Sequence, residues 1–242
     1  MTYCVAMRVD AGIVFLSDSR TNAGVDHINS FRKMVYWENV DDRVMVMLTS
    51  GNLSISQAVI NLINEKISRG DPDSLYAAPN LFEASVLVGA ALREVHARDA
   101  AALAASGIDF NAAFIFGGQI QGERPRLFHI YAAGNFIEAT DDTPYFQIGE
   151  SKYGKPIIDR VVKRSTSLAE AAKCALISMD STIRSNLSVG LPLDLLVMET
   201  DALKVRDHQN IESNHAYFQT IRNQWGVRLR EAFAELPNPE WL

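Results

Sequence analysis

Four residues near the start of the chain are of types that together can cleave an amide bond. Thr2 carries a nucleophilic hydroxyl, and removal of Met1 would give the same residue a free α-amine of ordinary pKa ~8. That amine is a usable base near neutral pH. Asp18 and Lys33 are candidates for the charges that activate it, since a cation lowers the pKa of an amine and an anion holds the cation.

The fourth candidate is Gly51, which follows Ser50 at a predicted junction between a strand and a helix. A backbone N–H at such a junction points into a cleft and can stabilise the oxyanion of an acyl transfer. Each of these residues also has a plain structural interpretation. The order and spacing of all four make the chemical interpretation specific.

Short apolar segments separated by turn residues predict the strands that position these side chains. Asp18 closes the second strand, and Lys33 begins the third, which could lie beside the first. The predicted strands are 3–9, 13–17, 33–38, 43–50, 110–118, 126–134, 135–140, 145–149, 191–199 and 202–209. The predicted helices are 53–68, 81–106, 155–164, 167–184 and 213–235.

Residues 19–31, rich in Asn, Asp and Gly, are predicted to be an irregular loop. Two pairs of helices interrupt blocks of strands, whereas a doubly wound parallel sheet alternates single strands with single helices. The pattern therefore predicts an α+β fold, a four-layer αββα sandwich of two antiparallel sheets with helices outside.

The composition is that of a folded domain without a nucleic-acid surface. With 242 residues, 48% of them hydrophobic and 21% charged, the chain fits one domain over 1–242, of which 213–242 is a C-terminal helix and tail. The net charge of −6 and the absence of long basic runs argue against nucleic-acid binding.

The sequence predicts a cytoplasmic protein with no disulfide framework. Cys4 and Cys174 lie in apolar segments and are expected to be buried thiols. We find neither a leader pattern before the first strand nor an apolar run of the ~18 residues that a membrane span needs.

No motif indicates a cofactor or a metal. The sequence lacks the P-loop, the dinucleotide-binding G-x-G-x-x-G after a strand, the H-E-x-x-H and the G-x-S-x-G patterns. The five histidines, His27, His96, His129, His208 and His215, have no ligand spacing. A site built from carbonyl and carboxylate oxygens stays open.

The N-terminal residues resemble those of a known enzyme superfamily. The runs T-x-x-V-x-M-R-x-D-x-G-I-V-F-L-S-D-S-R-T, R-K-M and T-S-G-N are similar to N-terminal-nucleophile hydrolases of the proteasome β-subunit and HslV type. The segments MTYCVAM, LSDSRTNAGVDHI and FRKM most resemble those of Anbu, the bacterial proteasome-related family. The resemblance covers nearly the whole chain and implies the αββα sandwich with an active site between the sheets.

Residue by residue, the resemblance implies that Thr2 is the nucleophile, Asp18 the aspartate, Lys33 the lysine and Gly51 the oxyanion-hole glycine. Two later motifs depart from the family. Gly149-Glu150-Ser151 stands in place of Gly-Ser-Gly, so the serine that assists the amine is either displaced to Ser151 or replaced by Glu150. Ser185 stands where the family has an aspartate, and Ser188 keeps the serine that follows it.

The resemblance implies a threonine peptidase or amidase in a large homo-oligomer, a ring or a spiral, acting on peptide or amide substrates. An ATPase partner is not indicated. The altered residues 150 and 185 support a second hypothesis, an assembly or binding protein that keeps the fold. A stripe on the terminal helix fits either subunit contacts or packing on its own domain: Tyr217, Phe218, Ile221, Trp225, Leu229 and Phe233.

Overall fold

The computed structural model describes residues 2–22 and 28–241, and of the strands next to that gap it describes the backbone only for 21–22 and 28–30. The strands in this part of the chain are β1 (Tyr3–Val9), β2 (Gly12–Asp18), β3 (Arg20–Asn22), β4 (Ile28–Ser30), β5 (Met34–Asn39), β6 (Arg43–Gly51), β7 (Ala112–Ile120), β8 (Arg126–Ile130), β9 (Phe136–Glu138), β10 (Tyr145–Gly149), β11 (Leu193–Glu199) and β12 (Val205–Ile211). The helices are α1 (Leu53–Ser68), α2 (Leu81–Ala105), α3 (Lys155–Val161), α4 (Leu168–Ser185) and α5 (Ala216–Ala234).

Ten of these strands form two five-stranded sheets. The first sheet has the order β10-β1-β2-β11-β12 and the second the order β5-β6-β7-β8-β9, while β3 pairs with β4. Neighbouring strands in both sheets are antiparallel. The predicted α+β class with two antiparallel sheets is confirmed.

Three apolar clusters define four layers. One cluster lies between the first sheet and helices α3, α4 and α5, and a second lies between the other sheet and helices α1 and α2. The third cluster lies between the two sheets. Strand β1 is buried along its whole length because alternate side chains enter different clusters: Val5 and Met7 face the helices, whereas Cys4 and Ala6 face the other sheet.

Local sequence explains where the helices begin. The side chain of Asn52 accepts a hydrogen bond from Ser54 N at 2.9 Å and so caps α1 directly after β6. Ser167 and Glu170 form a capping box at the start of α4. The α1 bounds match the prediction, whereas the second, third and fifth predicted helices run one to three residues too far at one or both ends.

Two predictions about strands are wrong. The segment 19–31 is not wholly irregular, since Arg20–Asn22 pairs with Ile28–Ser30 in a short antiparallel ladder. The third predicted strand does not lie beside the first. It is β5, at the edge of the second sheet, so Lys33 approaches the first sheet from the opposite layer.

Helix α5 divides into two parts. Phe218 and Ile221 are buried against the helix-side core of the first sheet. Further along, Leu229 and Phe233 are exposed, as are Leu236 and Trp241 in the tail. Packing on its own domain therefore accounts for Phe218 and Ile221 of the predicted stripe, whereas Tyr217 is exposed like Leu229 and Phe233.

Both cysteines are free and buried, as predicted. Within the described ranges, no helix is long and apolar enough to cross a bilayer.

Candidate active site

A cleft of about 590 Å³ opens at the start of β1, at the ends of β6 and β10 and at the start of α1. Nine of its thirteen lining residues are polar or charged. The lining residues are Thr2, Arg20, Lys33, Thr49, Ser50, Gly51, Asn52, Leu53, Ser56, Asn111, Ala113, Gly149 and Glu150. Three of the sequence-predicted residues, Thr2, Lys33 and Gly51, thus line one cavity although they come from three strand ends in two sheets.

Asp18 and Lys33 form a buried ion pair behind this wall. Lys33 Nζ donates to Asp18 Oδ1 at 2.7 Å and to the carbonyl oxygen of Arg20 at 2.7 Å. The Asp18 carboxylate is fully buried. Because β2 and β5 belong to different sheets, the pair joins the two layers at the cleft.

The same aspartate also holds the backbone next to Thr2. Tyr3 N donates to Asp18 Oδ1 at 3.0 Å, and Gly190 N donates to Asp18 Oδ2 at 3.4 Å. Burial raises the pKa of the Asp18 carboxyl, and the Lys33 ammonium and these two amides oppose that rise. Asp18 therefore links the lysine to the first strand.

The hydrogen bonds of Lys33 Nζ to described residues are those to Asp18 and Arg20, and neither involves Thr2 Oγ1. Strand β6 fixes the lysine's backbone, since Thr49 N donates to Lys33 O at 2.8 Å. The Thr2 side chain lies in the cleft at 8% exposure. Both side chains thus face the same small volume.

Gly51 ends β6 with a backbone conformation that favours glycine. Its φ is +101°, and a Cβ there would lie 2.3 Å from the carbonyl oxygen of Asn111 on the neighbouring chain segment. A side chain is therefore excluded at residue 51. This leaves backbone at the cleft wall, as an oxyanion site requires.

Gly149 brings the segment after β10 against Thr2. Its φ is +80°, and an added Cβ would lie 1.9 Å from Thr2 O. Glu150 N donates to Thr2 O at 2.7 Å, and Glu150 lines the cleft. Ser151 is absent from the lining; its carbonyl accepts from Lys155 N, so the following turn leads away into α3.

Ser185 and Ser188 belong to the end of α4 and to the loop that follows it. Ser185 is the exposed last residue of α4. Ser188 is half-buried, its N–H donates to Asn186 Oδ1 at 2.9 Å, and it is absent from the cleft lining. The residue of this loop that reaches the ion pair is Gly190, through its backbone.

Sequence reasoning missed Arg20. Its guanidinium packs against Gly190 and donates from Nη1 to Leu187 O at 3.0 Å. Its Nε is buried without a hydrogen-bond partner among the described residues. The only sequence signal for Arg20 was its position two residues after Asp18, just past the end of β2.

The other charged and reactive groups do not suggest a second centre. Burial raises the pKa of the Cys4 thiol, which is directed at the Thr49 carbonyl. In the described ranges no three His, Cys, Asp or Glu side chains are grouped as a metal site. His27 lies outside the described residues, and His96 is an exposed helix residue packed edge-on against Phe110.

Comparison with known proteins identifies the class that this fold and cleft define. A family model described as proteasome subunit matches residues 2–197. A proteasome subunit beta from Haloquadratum walsbyi is 24% identical over 217 residues, which cover 87% of this chain and 79% of that protein. The chain belongs to the proteasome subunit family.

Solved structures narrow the relationship. Anbu (ancestral beta-subunit) from Yersinia bercovieri aligns with a TM-score of 0.93 and 50% identity, covering 99% of this chain and 100% of that one. The Anbu complex from Pseudomonas aeruginosa, described as a helical assembly, aligns with a TM-score of 0.93 and 50% identity over 98% of each chain. Anbu from Hyphomicrobium sp. strain MC1 aligns with a TM-score of 0.89 and 51% identity, covering 99% of this chain and 100% of that one. Within the proteasome family, the chain groups with these Anbu proteins.

Proposed function

We propose that this protein is an N-terminal-nucleophile threonine hydrolase, a peptidase or an amidase, that acts within a cytoplasmic homo-oligomer. Thr2 is the nucleophile once Met1 has been removed. The observation that carries the proposal is the meeting of Thr2, Lys33 and Gly51 in one cleft, with the buried Asp18 bonded to both Lys33 and Tyr3 N.

In this proposal, Thr2 Oγ1 attacks an amide carbonyl while the α-amine of the same residue accepts the hydroxyl proton. The Gly51 N–H stabilises the oxyanion that forms. The amine then gives the proton to the leaving nitrogen, and water hydrolyses the remaining ester. Lys33 supplies positive charge beside the hydroxyl, which favours its loss of a proton.

Self-association is proposed on two grounds. The Pseudomonas aeruginosa relative is described as a helical assembly. In this chain, Leu229, Phe233, Leu236 and Trp241 leave apolar surface exposed along α5 and the tail. Assembly into a ring or spiral would restrict the cleft to unfolded chains or short peptides.

The second candidate is an assembly protein with weak or no catalysis. It is favoured by Ser151 and Ser188, neither of which lines the cleft, and by Ser185, which is exposed where the family has an acidic residue. In that case, the Asp18–Lys33 pair would serve only to join the two sheets.

Intact mass and active-site labelling distinguish the two candidates. The enzyme should lack Met1 after expression in cells that process Met-Thr termini, and it should gain the mass of one epoxyketone or β-lactone probe per chain. Thr2→Ser, which keeps an amine and a hydroxyl, should label, whereas Thr2→Ala should not.

Ser68→Ala is the matched control, because Ser68 is exposed at the end of α1 far from the cleft, and it should label like the unaltered protein. A processed chain that takes up no probe and cleaves no peptide in a diverse library would contradict the hydrolase proposal and leave the assembly protein as the better candidate.

A further inference from the structure

Glu150 lies beside the position of the Thr2 α-amine. Strand pairing places Tyr3 opposite Gly149, so residues 2 and 150 are the next pair along the ladder. The backbone of Glu150 is bonded to Thr2 O at 2.7 Å, and both residues line the cleft. A residue that carries a carboxylate therefore lies next to the chain end that would carry the amine.

Among the other charged side chains near Thr2, Asp18 and Lys33 offset each other, and the Arg20 guanidinium in the cleft lining adds one positive charge. Asp18 and Lys33 are in contact at 2.7 Å and form a neutral pair to a first approximation. The Glu150 side chain is 16% exposed, and its ion partner Lys152 is 3.9 Å away on a side chain that is 71% exposed. A pair of this length with an exposed lysine contributes little, so Lys152 offsets little of the Glu150 charge at the cleft wall.

We propose that the Glu150 carboxylate is the anion that stabilises the positively charged α-amine of Thr2 during catalysis. This inference rests on the proposed function. When Thr2 Oγ1 bonds to the substrate carbonyl carbon, the hydroxyl proton moves to the α-amine and creates a positive charge. The Glu150 carboxylate stabilises that charge until the proton passes to the leaving nitrogen as the C–N bond breaks.

A neighbouring carboxylate raises the pKa of an amine, because the protonated form is favoured. For a carboxylate within ~4–6 Å of an amine in a partly hydrated cleft, the rise amounts to about one pH unit. The Glu150→Gln variant should therefore have a Thr2 amine whose pKa is lower by about one unit. It should be acylated several-fold faster at neutral pH by a limiting amine reagent, because more of the amine is neutral.

Competitive acylation with acetic anhydride from about pH 5 to 10 measures this pKa without any turnover. The acylated N-terminal peptide is quantified by mass spectrometry against lysine peptides of the same digest. Glu150→Asp keeps the charge and should stay within ~0.3 units of the unaltered protein. Glu65→Gln removes an exposed carboxylate near the far end of α1 and should cause no shift.

The outcomes separate the two proposals. A processed chain in which Glu150→Gln leaves the pKa of the Thr2 amine unchanged, or raises it, overturns the role of Glu150 but not the hydrolase. The expected shift in a protein that cleaves nothing supports the ion contact and contradicts the hydrolase. A chain that keeps Met1 contradicts both.

Discussion

Replacing Lys33 by methionine tests the buried ion pair that organises the cleft. Methionine keeps much of the volume of lysine and removes its charge. Asp18 would then be a buried carboxylate whose remaining partners are the amides of Tyr3 at 3.0 Å and Gly190 at 3.4 Å. Its desolvation would no longer be offset by a cation.

Removing one partner of a buried ion pair costs about 3–5 kcal/mol of unfolding free energy. The two remaining amides solvate part of the Asp18 charge, so we expect a loss of about 3 kcal/mol at pH 7, the lower end of that range. The double variant Asp18→Asn/Lys33→Met contains neither charge. It should recover most of the loss, because nothing ionised stays buried.

The variant should also change the dependence of stability on pH. Burial raises the folded-state pKa of Asp18 above its unfolded value, and Lys33 opposes this rise. Without Lys33 the folded state binds the proton up to a higher pH. Stability should therefore be greatest near pH 4 and fall by about 1.4 kcal/mol per unit as the pH rises to the new folded pKa.

Urea denaturation at fixed protein concentration, repeated from about pH 4 to 8, measures both effects. Lys204→Met, at an exposed lysine, is the matched control and should change stability by less than about 0.5 kcal/mol. A Lys33→Met protein within about 1 kcal/mol of the unaltered one at pH 7, with no added pH dependence, would refute this account of the pair.

Three further predictions follow from the described geometry. Gly149→Ala places a methyl 1.9 Å from Thr2 O at a φ of +80°, so probe labelling should fall at least tenfold, and normal labelling would contradict the contact. Burial raises the pKa of Asp194, so ionisation of this carboxyl lowers the free energy of unfolding as the pH rises above about 4. The free energy of unfolding of Asp194→Asn, measured in urea at pH 7, should therefore equal or exceed that of the unaltered protein. A loss above about 1 kcal/mol would count against this explanation. Burial raises the pKa of Cys4, so the native thiol should react with an aromatic disulfide at least 100-fold more slowly than the unfolded one, whereas equal rates would contradict its burial.

Most of the fold could be predicted from the sequence because its strands and helices carry strong local patterns. The limits of α1 follow from Asn52 and from apolar residues at helical spacing. The ladder of β3 and β4 could not be predicted, because Asn, Asp and Gly favour turns and the pairing comes from the tertiary context. Likewise, nothing local indicates that β5 belongs to the opposite sheet.

The candidate site divides in the same way. Thr2, Asp18 and Lys33 stand at strand ends, which short-range patterns locate well. The choice between Glu150 and Ser151 depends on the left-handed turn at Gly149, and the contact of Arg20 with Gly190 joins residues 170 positions apart. Such details depend on packing between distant segments, to which a single sequence gives little access.

Two hydrogen bonds hold the backbone of Thr2. Glu150 N donates to the Thr2 carbonyl oxygen, and the N–H of the next residue, Tyr3, donates to the Asp18 carboxylate. Chain ends usually fray, and fixing one residue costs about 1–2 kcal/mol of conformational entropy. Here that loss occurs when the protein folds, before any substrate arrives. In the proposed reaction, Thr2 would therefore not have to be ordered again in each cycle, and only its hydroxyl and amine would remain to be engaged by the substrate.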